Sequence, residues 1–195
     1  MTVTDRKSRE RAEREDRIVA AARAIAETEG WEAVTIRRLA NEIEYSQPVL
    51  YSHFASRDAI VAAVALEGFK ELAAALRAAA EAADGQGDAL MRVATGYFAF
   101  ALSRPALYDA MFILPTQLMF AEAETRAELR DGFEAITAVV SPFCTDVEIV
   151  TETFWAALHG LAELERSGRV RPGMHEKRIA LVVQAIINAE SAEPN

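Results

Sequence analysis

Apolar side chains recur along most of this chain at spacings of three and four, a pattern that predicts a series of amphipathic helices. Ile18, Ala22, Ile25 and Ala26 mark a first helix over about residues 15–29, closed by Gly30. Thr35 offers an N-cap to a short second helix whose stripe is Ile36, Leu39, Ala40 and Ile43. Ser46 offers another N-cap, and Pro48 falls in the first turn of a third short helix, SQPVLYSHF, where its missing N–H costs nothing. Ser56 caps a long fourth helix carrying Ile60, Val64, Phe69, Leu72 and Leu76, which ends near the loop-like ADGQGD at residues 83–88. Further helices are predicted at about 88–103, 106–121 with an interruption at Pro115, 122–140, 146–167 and 173–190, punctuated by Pro105, Pro142 and Pro172. The opening DRKSRERAERED has mixed charge and no apolar period, and predicts a disordered or fraying arm over residues 1–14.

Composition agrees with an all-α fold. Alanine fills 39 of 195 positions, while Gly and Pro are sparse and grouped. That length is enough for one sizeable core or two small ones. Cys144 stands alone and there are three histidines, which excludes a disulfide framework and a structural zinc finger. No stretch approaches the roughly 18 apolar residues of a membrane span, and the first residues lack a signal-peptide core, so the expectation is a cytoplasmic protein that makes no membrane contact. The net charge of −9 is unevenly placed, with 10 basic and 11 acidic side chains in residues 1–58 and the rest of the acidity beyond. Non-specific attraction of nucleic acid over the whole surface is thereby excluded, and any DNA contact must be local.

Residues 35–54 read as two short helices joined by a tight turn, the second with polar and small residues at its N-terminus. This is the arrangement that sets a recognition helix in the DNA major groove. Gly30, Trp31, Thr35, Ile36, Arg37, Leu39, Ala40, Ser46, Leu50, Tyr51, His53, Phe54, Ser56 and Arg57 together resemble the N-terminal domain of the TetR family of bacterial regulators, over about residues 15–62. The resemblance implies a DNA-binding domain at 15–62 and a helical effector-binding and dimerisation domain at 63–195 that dimerises through its last two helices. It also implies a homodimeric repressor on an inverted-repeat operator, released by a small ligand and needing no cofactor.

Within that frame each residue has a physical role. Thr35 at a helix N-terminus presents a hydroxyl and free N–H groups suited to a phosphate oxygen. Ser46, Gln47, Pro48 and Val49 open the recognition helix, where Gln suits an adenine edge and Val a thymine methyl. Tyr51 and His53 resemble the family's backbone contacts, although a packed Tyr ring or a solvated His would fit the sequence as well. Arg57 stands where the family commonly has a phosphate-binding Lys, and Arg37 and Arg38 add positive charge. Leu39, Ala40, Leu50 and Phe54 read as core. Glu44 is a departure, because the family usually has a small residue, often Gly, at that place.

In the C-terminal half, Ile149, Thr153, Ala157, Gly160, Leu161 and Leu164 line one side of a long helix with Val150, Phe154 and Leu158 beside them, and Ile179, Val182, Val183, Ile186 and Ile187 do the same for the last helix. Such broad apolar arcs need partners on two sides, which predicts a homodimer seam through Ala157, Leu161, Leu164, Ile179, Val183, Ile186 and Ile187. Trp155, His159 and Gly160 resemble the Trp-His-Gly signature of one subgroup of TetR-like C-terminal domains, over about residues 84–190. Tyr97, Phe100, Met111, Phe112, Met119, Phe120, Phe133, Trp155 and His159 supply surface for a largely apolar effector cavity, the competing reading being ordinary core. His159 and Glu163 lie at i, i+4 but have no third ligand, so no metal site is assigned. An enzyme would need a nucleophile with its base, a metal set or a phosphate loop, and none is visible. A helical interaction module that has lost DNA binding is the remaining alternative, favoured by Glu44 and the −1 balance of residues 1–58.

Overall fold

The computed structural model describes residues 3–116, 118 and 125–189. Among these the chain is helical throughout: α1 (Val3–Glu29), α2 (Ile36–Glu42), α3 (Gln47–His53), α4 (Arg57–Glu81), α5 (Gln86–Ser103), α6 (Pro105–Phe112), α7 (Ala127–Val140), α8 (Val147–Arg166) and α9 (His175–Ala189), with short 3-10 turns at Trp31–Ala33 and Ser141–Phe143. The helices gather into two compact units. The first comprises the chain through Gly68 together with the segment from Arg104 that carries α6, and the second holds the remainder.

The expected arm is not an arm, because α1 is helical from Val3. Ion pairs at i, i+4 line that stretch, Arg6 with Glu10 at 3.6 Å, Arg9 with Glu13 at 3.8 Å and Arg11 with Glu15 at 2.9 Å. The helix expected over 106–121 is also shorter and ends at Phe112.

Ile18, Ala22, Leu39, Leu50, Ile60 and Val64 are fully buried and form the core of the first unit. Phe54 is only half-buried. The unit is completed by α6, whose first peptide groups are satisfied by distant residues. Pro105 has no N–H to lose, and the next two N–H groups, of Ala106 and Leu107, donate to the Glu27 carboxylate at 3.4 and 3.2 Å. On the other side the Trp31 indole N–H donates to the Ala106 carbonyl at 2.8 Å. Further along, Gly68 on α4 admits the Met111 side chain, whose Sδ would lie 2.5 Å from a Cβ at that position.

The second unit is organised around α5, where Leu90, Val93, Ala94, Tyr97 and Phe98 are buried against α8 and α9. Phe98 stacks on His175 of α9 with ring centroids 5.5 Å apart. Lys70 and Arg77 on α4 reach Glu128 and Asp131 of α7 at 3.5 and 3.7 Å.

Two left-handed positions frame α2. Gly30 closes α1 at φ 84°, ψ 163°, a conformation essentially restricted to glycine. Glu44 follows α2 at φ 56° while the Tyr45 N–H donates to the Ala40 carbonyl at 2.9 Å, the Schellman closure that normally uses Gly. Gly30→Ala is therefore expected to cost about 1–3 kcal/mol. Glu44→Gly relieves about 1–2 kcal/mol of strain against about 0.5–1 of added chain entropy, a net stabilisation of up to about 1.5 kcal/mol. Urea unfolding midpoints of the two variants should move in opposite directions.

Candidate nucleic-acid interface

α2 and α3 are held as a rigid pair by their caps. Thr35 is the N-cap of α2, extended at φ −110°, and its Oγ1 accepts the Arg38 N–H at 3.1 Å. Ser46 sits at the N-cap of α3 without a side-chain cap bond, so its carbonyl alone takes the Val49 and Leu50 N–H groups. Leu50 is fully buried and seats the helix on the core. Around it Gln47 and Pro48 are exposed, Val49 is 37% exposed and Tyr51 53%. A large aromatic half in water and a helix start carrying an amide and a small apolar group form a surface that a protein core does not explain.

Arg37 is exposed on the first turn of α2. Arg38 is spent internally, pairing with Glu42 and, at 3.0 Å, with Glu29. The arginine cluster expected here therefore presents one outward guanidinium, that of Arg37.

Two further expectations are corrected. The His53 side chain is only 6% exposed, and its Nδ1 lies 3.2 Å from the Glu15 carboxylate of α1. Its ring ties α3 to α1 and is not presented to a ligand. Arg57 turns inward as well, its Nε donating to the Val34 carbonyl at 2.8 Å and its Nη2 to the Trp31 carbonyl at 2.6 Å, with Asp58 at 3.9 Å. Those carbonyls lie in the 3-10 passage ahead of α2, where, among the described residues, the Trp31 oxygen receives the Val34 N–H at 3.2 Å as its one main-chain donor and the Val34 oxygen receives none. The guanidinium serves the fold there instead of a phosphate. Arg11 of α1 also joins this region, donating to the Ser52 carbonyl at 3.1 Å, and Arg17 lies over the Tyr45 ring, 5.7 Å from its centroid. No local pattern pairs residue 11 with residue 52 or residue 17 with residue 45, so neither contact leaves a sign in the order of residues.

Comparison with known proteins identifies the family. A family model described as bacterial regulatory proteins, tetR family, matches residues 18–64, and one described as tetracyclin repressor-like, C-terminal domain, matches residues 90–189. An uncharacterized HTH-type transcriptional regulator of Mycobacterium tuberculosis is 30% identical over 154 residues, which are 77% of this chain and 69% of that one. The chain belongs to the TetR family. As a TetR-family member it is a DNA-binding transcriptional regulator with a helix-turn-helix, and not an enzyme.

Solved structures agree on the fold. A protein of unknown function from Rhodococcus sp. RHA1 superposes with a TM-score of 0.74 at 22% identity, covering 90% of this chain and 94% of that one. The TetR family regulator PfmR from Thermus thermophilus gives 0.62 at 20% identity, with coverages of 88% and 97%. FadR from Bacillus subtilis, in complex with stearoyl-CoA, gives 0.64 at 10% identity, with coverages of 88% and 96%.

The residues expected to line one TetR-type effector cavity divide between the units. Tyr97, Phe100, Phe133, Trp155 and His159 belong to the second. Tyr97 and Phe100 are buried there, and Trp155 donates its indole N–H to the Tyr97 hydroxyl at 3.1 Å. The Trp155 and His159 rings lie 5.9 Å apart. Met111 and Phe112 belong to the first unit, where Met111 is buried against Gly68 and is corrected to core, while the half-buried Phe112 lies against Tyr108 with ring centroids 4.8 Å apart. Met119 and Phe120 lie outside the described residues. Of the seam residues, Ile179 is 0%, Val183 2% and Ile186 8% exposed, which makes them the unit's own core and unavailable to a partner. Ala157, Leu161 and Ile187 are half-buried, and Leu164 is 39% exposed. No group of three His, Cys, Asp or Glu side chains that could hold a metal ion occurs among the described residues, and no helix among them is long and apolar enough to cross a membrane.

Arg57→Ala removes two charge-assisted bonds and leaves the Val34 carbonyl unpaired, and is expected to cost about 2–4 kcal/mol, read as a lower melting temperature in the absence of DNA. His159 gives a pH dependence. Its burial holds the imidazole below its usual pKa, with Glu163 opposing and Arg166 assisting. The unfolded chain therefore takes up this proton first as pH falls, and the stability His159 contributes above about pH 6.5 is lost below it. His159→Gln should flatten the fall in melting temperature between about pH 7 and pH 5.

Proposed function

We propose that the protein is a homodimeric repressor that binds an inverted-repeat operator through α3 and is released by a small, largely apolar effector. The observation that carries the DNA-reading assignment is the exposed first turn of α3, with Gln47, Pro48, Val49 and Tyr51 outward over a buried Leu50. Gln47 reads an adenine edge, Val49 a thymine methyl, and Tyr51, Thr35, Ser46 and Arg37 hold phosphates.

Dimerisation is supported by what α8 and α9 leave uncovered. Along α8 the outward line is Ile149, Thr153, Ala156, Gly160 and Leu164, small or apolar at nearly every step, with Ile149 57% exposed. On α9 Leu181 is 73% exposed between Ala180 and Ala185. Small residues let helices approach closely, and a leucine this bare belongs under a second chain. Two protomers related by a two-fold axis call for half-sites about one helical turn, roughly 34–36 Å, or a multiple apart.

The effector reading rests on the interior of the second unit. In the same unit as Tyr97, Trp155 and His159, the Thr151 hydroxyl is fully buried on α8 without a hydrogen-bond partner among the described residues. A buried polar atom of this kind suits a mostly apolar ligand with one hydrogen-bonding group. Ligand and operator must then weaken one another by the same factor, typically about 5- to 150-fold.

Binding assays on single-base variants of an operator selected from a random-duplex pool test the assignment. Gln47→Ala is expected to cost about 1–3 kcal/mol at one base position and leave the others ranked as before, and an unchanged ranking everywhere would remove the direct-readout role. Leu181→Glu is expected to sediment as a monomer at micromolar concentration and to lose operator binding.

A further inference from the structure

α1 extends well past the residues that the first unit needs for its core. Ile18 is the first fully buried side chain described on the helix, so residues 5–14 stand clear as nearly three turns of largely exposed helix. That extension is fixed in direction by α3, because Arg11 donates to the Ser52 carbonyl at 3.1 Å and Glu15 meets His53 at 3.2 Å. At 100° per residue, Lys7, Arg11, Arg14 and Ile18 fall on one face of α1. The face that carries Ile18 into the core and Arg11 onto the end of α3 thus also carries Lys7 and Arg14.

Most acidic side chains of this stretch are already used, and Asp16 falls on the opposite face of α1 from Lys7 and Arg14. Glu10 pairs with Arg6, Glu13 with Arg9, and Glu15 with Arg11 and His53. Lys7 and Arg14 have no carboxylate partner among the described residues, and both are exposed. A strip of uncompensated positive charge lies against the C-terminal end of the helix that reads the groove. A recognition helix enters with its N-terminal residues toward the bases, in a groove only about 12 Å wide. Its C-terminal end therefore leaves toward the phosphate wall, where the extension of α1 stands.

We propose that residues 5–14 of α1 are a second DNA-contacting element, in which Lys7 and Arg14 bind backbone phosphates flanking the half-site read by α3. The inference rests on the DNA-reading assignment of α3 made above. Contact there carries no sequence information, and lengthens the footprint and steepens the salt dependence.

The test uses the full-length protein and a duplex selected by it from a random pool, either with long flanks or trimmed to the half-sites. Lys7→Gln/Arg14→Gln is compared with wild type, and Lys177→Gln/Arg169→Gln on the second unit serves as a control of equal charge change. The expected result is a smaller salt slope for the α1 variant alone, so that between 50 and 200 mM salt it loses about tenfold less affinity per protomer than wild type. Trimming the flanks should weaken wild type and leave the variant unaffected. Both variants replace exposed side chains, and equal melting temperatures exclude a folding effect. An α1 variant with the wild-type slope and the wild-type response to trimming overturns the proposal; if Gln47→Ala still shifts the base ranking in the same assay, the α3 assignment survives it. Failure to select any duplex removes both.

Discussion

Two carbonyl groups, those of Trp31 and Val34, decide how this regulator is assembled. They lie in the short passage between α1 and α2, where the main chain of the described residues supplies one 3-10 bond to the first and nothing to the second, and Arg57 from the start of α4 donates to both. A buried carbonyl left unpaired costs about as much as a lost hydrogen bond, so the passage can take its tight path only with α4 in place. That path in turn sets Thr35 at the start of α2 and aims the Trp31 indole at Ala106. One guanidinium therefore joins the entry to the helix-turn-helix, the long fourth helix and the site that receives α6.

The DNA-binding unit is consequently not a stretch of sequence. Glu27 and Trp31 grip the first peptide groups of α6 across separations of 75 to 80 residues, and Gly68 leaves room for Met111. Helix caps ordinarily come from the residue just before the helix, but Arg104 makes no cap bond and Pro105 removes one donor. The two donors that remain are met by a carboxylate on α1, favourably placed against the positive end of α6. A chain segment numbered among the C-terminal helices is in this way a structural part of the unit that carries α3.

This division marks what can be read from the residues in order. Apart from the start of α1 and the end of α6, the series of helices, the N-cap positions of Thr35 and Ser46, the closure at Gly30 and the outward face of α3 follow from local rules, and the structure places them where the pattern does. Side chains whose partners lie far along the chain are not legible in this way. His53 and Arg57 have residue types that suit phosphates, and only the positions of Glu15 and of the Trp31 and Val34 carbonyls show them to be occupied. The seam residues escape for another reason. An apolar arc on α9 tells that something covers it without telling which part meets its own chain, and Ile179 and Val183 turn inward while Leu181 stays bare. Pattern gives the width of an apolar face, and packing divides it.

Glu44 shows how far a departure from a family pattern can be absorbed. The turn after α2 is held by main-chain bonds, Tyr45 to Ala40 and Ile43 to Leu39, and these form whatever side chain the left-handed residue carries. The strain is local and of the order of 1–2 kcal/mol, too small to change the angle between α2 and α3 when Leu39 and Leu50 are both buried beneath them. Its side chain is exposed, outside the pairs that neutralise Glu15, Glu29 and Glu42. The geometry of the α2–α3 pair is thus intact, and what Glu44 alters is the potential along one edge of it. A near-neutral N-terminal segment of 10 basic and 11 acidic residues can still hold DNA, because affinity depends on which charges remain outward beside α3 and not on their sum over the segment.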